Sequence, residues 1–230
     1  MSKVQKAPTI EQAIAHGYTL LQMGRKTDAL ACFSVAAAQP QISSPDQHLA
    51  VRLGEWILGR TENTPLEALE SWECSDSVAF TSALLYVWRL TTIRLRMETM
   101  KGYDFKLKDA SLNEALELQR RFRKCCSTFV TLLPHEDREL GLILCLAGRP
   151  KAAARHLKLS LEAAKLSDLI LERALTTREL SRVRKFLGKD FPRFNCQSAV
   201  KTLERLGYNL PKGEGHQAPR RNKTPETLQQ

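Results

Sequence analysis

The sequence predicts an all-α protein, and three observations carry that expectation. Four stretches have the form of a capping box: Thr9-Ile-Glu-Gln12, Ser44-Pro-Asp-Gln47, Thr64-Pro-Leu-Glu67 and Ser111-Leu-Asn-Glu114. In each, a hydroxyl stands ready to accept the amide hydrogen three residues on, while the Glu or Gln there reaches back to the cap amide. Glycine and proline are sparse, 11 and 10 of 230 residues, and the strong helix formers Leu, Ala, Arg, Lys and Glu dominate. Lastly, one helix-turn-helix spacing occurs twice, as Gly17, Gly24, Ala29, Phe33, Ala36 and as Gly141, Gly148, Ala153, Leu157, Ser160. No alternation of period two competes.

Ten helices follow in order. The first, 10–23, starts at the Thr9 cap; Gly17 leaves room for a crossing helix, Leu20 and Leu21 form an apolar stripe, and Gly24 suits a positive-φ exit. The second, 27–38, sets Ala29, Phe33 and Ala36 on its inner face and stops at Gln39-Pro40. Helices 45–59 and 65–73 follow Ser44 and Thr64, each with proline at the first helical position, where a missing N–H costs nothing. Gly54 and Ala68 give them the look of a degenerate hairpin. Helix 77–100 holds the longest apolar stretch, 78–95, which Thr81, Ser82, Arg89 and Arg94 break up too much for a membrane span. Helix 111–131 starts at the Ser111 cap. Helices 135–147 and 151–165 repeat the first hairpin around Gly148, and helices 168–187 and 196–206 complete the set. Short punctuated links make neighbours in sequence antiparallel neighbours in space. Residues 1–210 thus form one helical domain. Residues 211–230 are polar, with Leu228 the one large apolar side chain, and read as a disordered tail.

Charge is uneven along the chain. The first 92 residues sum to −2, residues 93–195 to +9 and the remainder to +3, for a net +10. Two basic groupings mark the candidate partner-binding face. Arg120, Arg121, Arg123 and Lys124 cluster within five residues. Arg178, Arg182, Lys185 and Lys189 fall at i, i+4, i+7 and i+11, one stripe of a helix, with Glu172 and Glu179 partly neutralising it. Such a surface suits an acidic protein or peptide, or the phosphates of a nucleic acid. Few aromatics interleave with the cations, so stacking on single strands has little support.

Chemistry-bearing motifs are missing from the sequence. It has no GxGxxG, P-loop, HExxH, GxSxG or EF-hand loop. Six cysteines form no CxxC, and five histidines are scattered, so free thiols in a reducing compartment are expected and no metal or cofactor is. Vicinal Cys125 and Cys126 point apart on a helix, and a turn at Gly148 separates Cys145 from His156. The start of the chain carries no long apolar run. A soluble, intracellular, non-enzymatic protein is the expectation, cytoplasmic, nuclear or organellar.

The twin spacing resembles the tetratricopeptide (TPR) repeat, whose small–large–small motif runs over about 34 residues. The resemblance covers 10–43 and 134–167. Ala13 and Asp137 stand where an early aromatic is usual, and the closing proline is displaced to Pro40 or replaced by Lys165. Gly17 and Gly141 lie 124 residues apart, between three and four repeat lengths, so the array is irregular and interrupted by helix 77–100. Residues 132–167 also resemble the TPR tail of bacterial proteins that carry a transglutaminase-like domain. This chain has Glu136-Asp-Arg-Glu-Leu-Gly141 where those have an Arg-Asp-Arg-Gly-like stretch, and no convincing Cys-His-Asp domain precedes it. What the TPR resemblance implies is an irregular α-solenoid of helical hairpins. It would act as a non-enzymatic adaptor or assembly factor, holding a partner in its concave surface and presenting a basic face. The alternative is a nucleic-acid-associated helical subunit of a ribonucleoprotein or transcription-related complex.

Overall fold

The Thr9 capping box forms as its residues dictate: the Thr9 hydroxyl accepts from the Gln12 amide at 3.2 Å, and Gln12 Oε1 accepts from the Thr9 amide at 3.0 Å. From there the computed structural model describes residues 8–40, 42, 44–58, 65–72, 79–100, 105–126, 128–188 and 193–208. Every regular element among them is helical: α1 (Ile10–Gln22), α2 (Lys26–Ala37), α3 (Pro45–Ile57), α4 (Leu66–Ser71), α5 (Phe80–Thr99), α6 (Phe105–Cys126), α7 (Leu133–Leu146), α8 (Pro150–Leu166), α9 (Ile170–Phe186) and α10 (Arg193–Arg205). The fold is all-α. The expected tail at 211–230, the Thr64 cap and Lys189 lie outside the described residues.

The two hairpins match bond for bond. At the end of α1 the amides of Gly24 and Arg25 donate to Leu21 O and Leu20 O, at 2.9 and 2.8 Å; at the end of α7 those of Gly148 and Arg149 donate to Cys145 O and Leu144 O, at 3.0 and 2.8 Å. That pair of bonds is a Schellman motif, which needs the left-handed φ values seen at Gly24 (80°) and Gly148 (74°). A methyl group on Gly17 would lie 3.3 Å from Ala29 O and 3.1 Å from the Phe33 ring; one on Gly141 would lie 3.3 Å from Ala153 O and 2.9 Å from Leu157 Cγ. Gly54 of α3 presses the other edge of the Phe33 ring, so the ring is clasped between two glycine backbones.

The same turn recurs at Asp168, where the sequence offers no glycine. Asp168, at φ 51°, closes α8 with bonds to Lys165 O and, through Leu169, to Ala164 O; Gly188 and Gly207 end α9 and α10 with φ of 67° and 70°. Asp168 therefore belongs to a turn rather than starting the next helix, since aspartate tolerates the left-handed region better than most side chains.

Helix α6 also departs from expectation. It begins at Phe105, and Ser111 is a buried mid-helix residue rather than a cap. The segment just before it, Leu-Lys-Asp-Ala at 107–110, is itself helix-compatible and extends the run upstream. Ser44 does occupy the N-cap of α3, without a side-chain bond.

Helix α5 is the central post, packing on α1, α3, α4, α6 and α7. Its neighbours fasten it with polar groups. Glu11 of α1 accepts from the Thr81 amide (3.2 Å) and hydroxyl (2.5 Å) at the α5 N-terminus; Asp46 of α3 accepts from Ser82 and from Trp72 Nε1, both at 2.8 Å. Arg89 donates to the last carbonyls of α4, at Leu69 O (2.6 Å) and Glu70 O, and to Glu114 of α6 at 3.0 Å. The α1–α2 turn meets the end of α10: Lys26 donates to Gly207 O at 3.3 Å and lies 4.8 Å from the Tyr208 ring centre, while Gly24 packs on Leu206.

Three substitutions test these backbone arguments. Gly54→Ala should destabilise by roughly 1–3 kcal/mol through overpacking against Phe33. Asp168→Gly should be neutral or stabilising, whereas Asp168→Val should cost about 1–2 kcal/mol. Urea titrations of the three variants check the order; an Asp168→Val protein as stable as the parent would remove the strain argument.

Candidate functional site

Five consecutive side chains at the start of α7, His135-Glu-Asp-Arg-Glu139, point in different directions around the helix, yet none is more than 8% exposed. Such a polar run ordinarily faces water. It is buried here because α7 is enclosed by α5, α6, α8 and α9, so every group needs a partner from a neighbouring helix. Arg138 forks onto Glu172 of α9 (2.8 and 3.2 Å) and also meets Glu139. Glu139 accepts from Arg94 of α5 at 2.6 Å. Arg123 of α6 reaches Asp137 at 2.8 Å and Glu136, and His156 of α8 meets Asp137 at 2.9 Å. His135 lies between the Tyr18 hydroxyl (2.8 Å) and Thr91 (3.2 Å), with Trp88 edge-on at 5.1 Å. Ser160, the small residue of the second hairpin, donates to Pro134 O at 2.7 Å and pairs with Thr176 at 2.8 Å.

Burial sets the protonation states. It drives His135 down from 6.5 to about 4, so the ring is neutral at pH 7 and links Tyr18 to Thr91 with one donor and one acceptor nitrogen. Burial, with the neighbouring Asp137 charge, lifts Glu136 from 4.5 to about 7, and Glu136 Oε1 is buried without a hydrogen-bond partner. Burial also opposes ionisation of Glu139, but Arg138 and Arg94 outweigh it and hold the carboxyl at about 2. The Arg138 guanidinium likewise stays charged against its burial because Glu172 and Glu139 face it. The five α7 side chains are buried and organise packing, and the network reaches the surface at Arg123, whose side chain is 38% exposed.

The cations singled out in the sequence lie in varied settings. Arg120 and Arg121 both reach Glu117 on the α6 surface. Arg123 turns inward to the network, and Lys124 is exposed. Arg178 and Arg182 share Glu179, at 3.4 and 2.9 Å, and Lys185 is exposed. A denser grouping lies on α8: Lys151, Arg155 and Lys158, with Arg184 of α9 opposite, around a cleft of about 290 Å³. Their i, i+4, i+7 spacing was visible in the sequence by the rule applied to α9. The thiols of Cys32, Cys125, Cys145 and Cys196 are free, and His156 faces Asp137 at 2.9 Å. Among the described residues no group of three or more His, Cys, Asp or Glu could hold a metal ion, and no helix is long and apolar enough to cross a membrane.

Comparison with protein-family models, with curated proteins and with solved structures gives no match to this chain.

The adjacent His135 and Glu136 should give opposing pH slopes. His135, lowered in the fold, contributes stability present above pH 6.5 and lost as pH falls through about 4. Glu136, raised in the fold, contributes stability present below pH 4.5 and lost as pH rises through about 7. Between roughly 4.5 and 6.5 the two cancel. Glu136→Gln should expose the histidine slope, so that stability drops by about 2 kcal/mol on acidification across that window. Chemical denaturation at several pH values reads this out; parallel profiles for parent and variant would contradict it.

Proposed function

We propose that this protein is a non-enzymatic protein-binding adaptor or assembly factor, an irregular α-solenoid built from TPR-like hairpins. The observation that carries the reading is the bond-for-bond match of the α1–α2 and α7–α8 hairpins, each nested on a glycine and closed by a Schellman turn. Hairpins of this kind stack into scaffolds that present one surface to a partner. The contacts of Lys26 and Gly24 with residues 206 and 207 bring the α1–α2 hairpin against the end of α10. Exposed basic side chains are carried by α6, α8 and α9. Lys124 of α6 and Lys185 of α9 are exposed, with Arg120, Arg121, Arg178 and Arg182 adding charge partly offset by Glu117 and Glu179.

A nucleic-acid-associated role is the second reading, favoured by the net charge of +10. Salt and nuclease separate the two, because phosphate contacts release counterions and weaken steeply with salt. Affinity purification of the full chain, with and without nuclease and moderate salt, should recover a protein partner under all conditions. Recovery that disappears on nuclease treatment would replace the adaptor reading with the nucleic-acid one.

A further inference from the structure

We infer that the cleft between α8 and α9 is a docking site for an acidic amphipathic peptide segment, a proposal that rests on the adaptor reading and gives the partner its chemistry. Lys151, Arg155, Lys158 and Arg184 line the cleft above an apolar floor of Ala154 and Leu187. The three α8 cations span about 10 Å of helix. None of the three makes an ion pair with a described residue; the one carboxylate of α8 is Glu162, a turn beyond Lys158. Nor does the helix favour Lys151: α8 has no acidic residue in its first turn and carries Lys151 there, against the positive end of its dipole. A ligand carboxylate at that end would meet both the dipole and the cations.

Leucines settle the class of ligand. Leu159 and Leu166 are 45% and 90% exposed on the same solvent face of α8, one and two turns past Arg155 and Lys158. Exposed leucines beside cations complement a segment that alternates carboxylates with apolar side chains at helical spacing. A phosphate backbone would use the cations and leave the leucines in water, and the cleft offers no aromatic ring for base stacking.

Fluorescence anisotropy on the full chain tests this with three probes of equal length: a Glu/Leu amphipathic peptide, a poly-glutamate peptide and single-stranded oligo-dT. The Glu/Leu peptide should bind more tightly than poly-glutamate. Its affinity should fall roughly tenfold or more in the K151E/R155E/K158E variant and several-fold in Leu166→Gln. These positions are on the surface, and circular dichroism confirms that the variants fold. Unchanged affinity in the triple variant, or oligo-dT binding as tight as the Glu/Leu peptide, would overturn the proposal. If peptide binding fails while a nuclease-resistant partner is still captured, the cleft is refuted and the adaptor reading stands. If the peptide binds at the cleft and no protein partner is captured, the cleft stands and the adaptor reading is refuted.

Discussion

Arg138 is held on two sides by carboxylates from different helices, and the packing around α7 depends on that arrangement. Its guanidinium forks onto Glu172 of α9 and meets Glu139, which in turn holds Arg94 of α5. All of these charges are removed from water at a cost of several kcal/mol per ion, and geometry must return it. The bidentate fork does so while fixing the distance and rotation between α7 and α9. His135 extends the same centre to α1 through Tyr18, and Asp137 extends it to α6 and α8. One turn of helix thus sets the positions of five neighbours.

That centre and the hairpin turns do different work. Schellman turns define where α1, α7, α8 and α10 stop, and glycines at the crossings let Phe33 and Leu157 approach the neighbouring backbone. The polar network then sets how hairpins lie relative to the α5 post. A scaffold fixed at both levels can carry a rigid surface, and rigidity lowers the ordering cost of binding. The outer side of α8 and α9 is where this matters, because α9 receives the Arg138 fork on one face and lines the cationic cleft with Arg184 on another.

Helix positions were legible in the sequence because their signals are local. Thr9, Gly24, Pro45, Gly148 and Gly188 each act within a turn of their own position, and each marks a boundary in the structure. The start of α6 was not legible, since Ser111-Leu-Asn-Glu114 has cap chemistry but the residues before it are equally fit for helix. The Asp168 turn was hidden because aspartate suits a helix start as well as a left-handed exit. The burial of residues 135–139 was the least legible feature. A run of five polar residues reads as surface, and only long-range partners such as Glu172 and Arg94 make its interior place affordable. For the same reason Arg123 read as part of a surface cluster, although it points to Asp137.

A double-mutant cycle on Arg138 and Glu172, followed by denaturant unfolding, tests the central claim most directly. Arg138→Met alone should destabilise by roughly 3–5 kcal/mol, because Glu172 is left buried and unpaired. Adding Glu172→Gln should restore part of that loss, with a coupling energy on the order of 1–3 kcal/mol. Small, additive effects of the two substitutions would contradict the account and leave apolar packing alone as the organiser of α7.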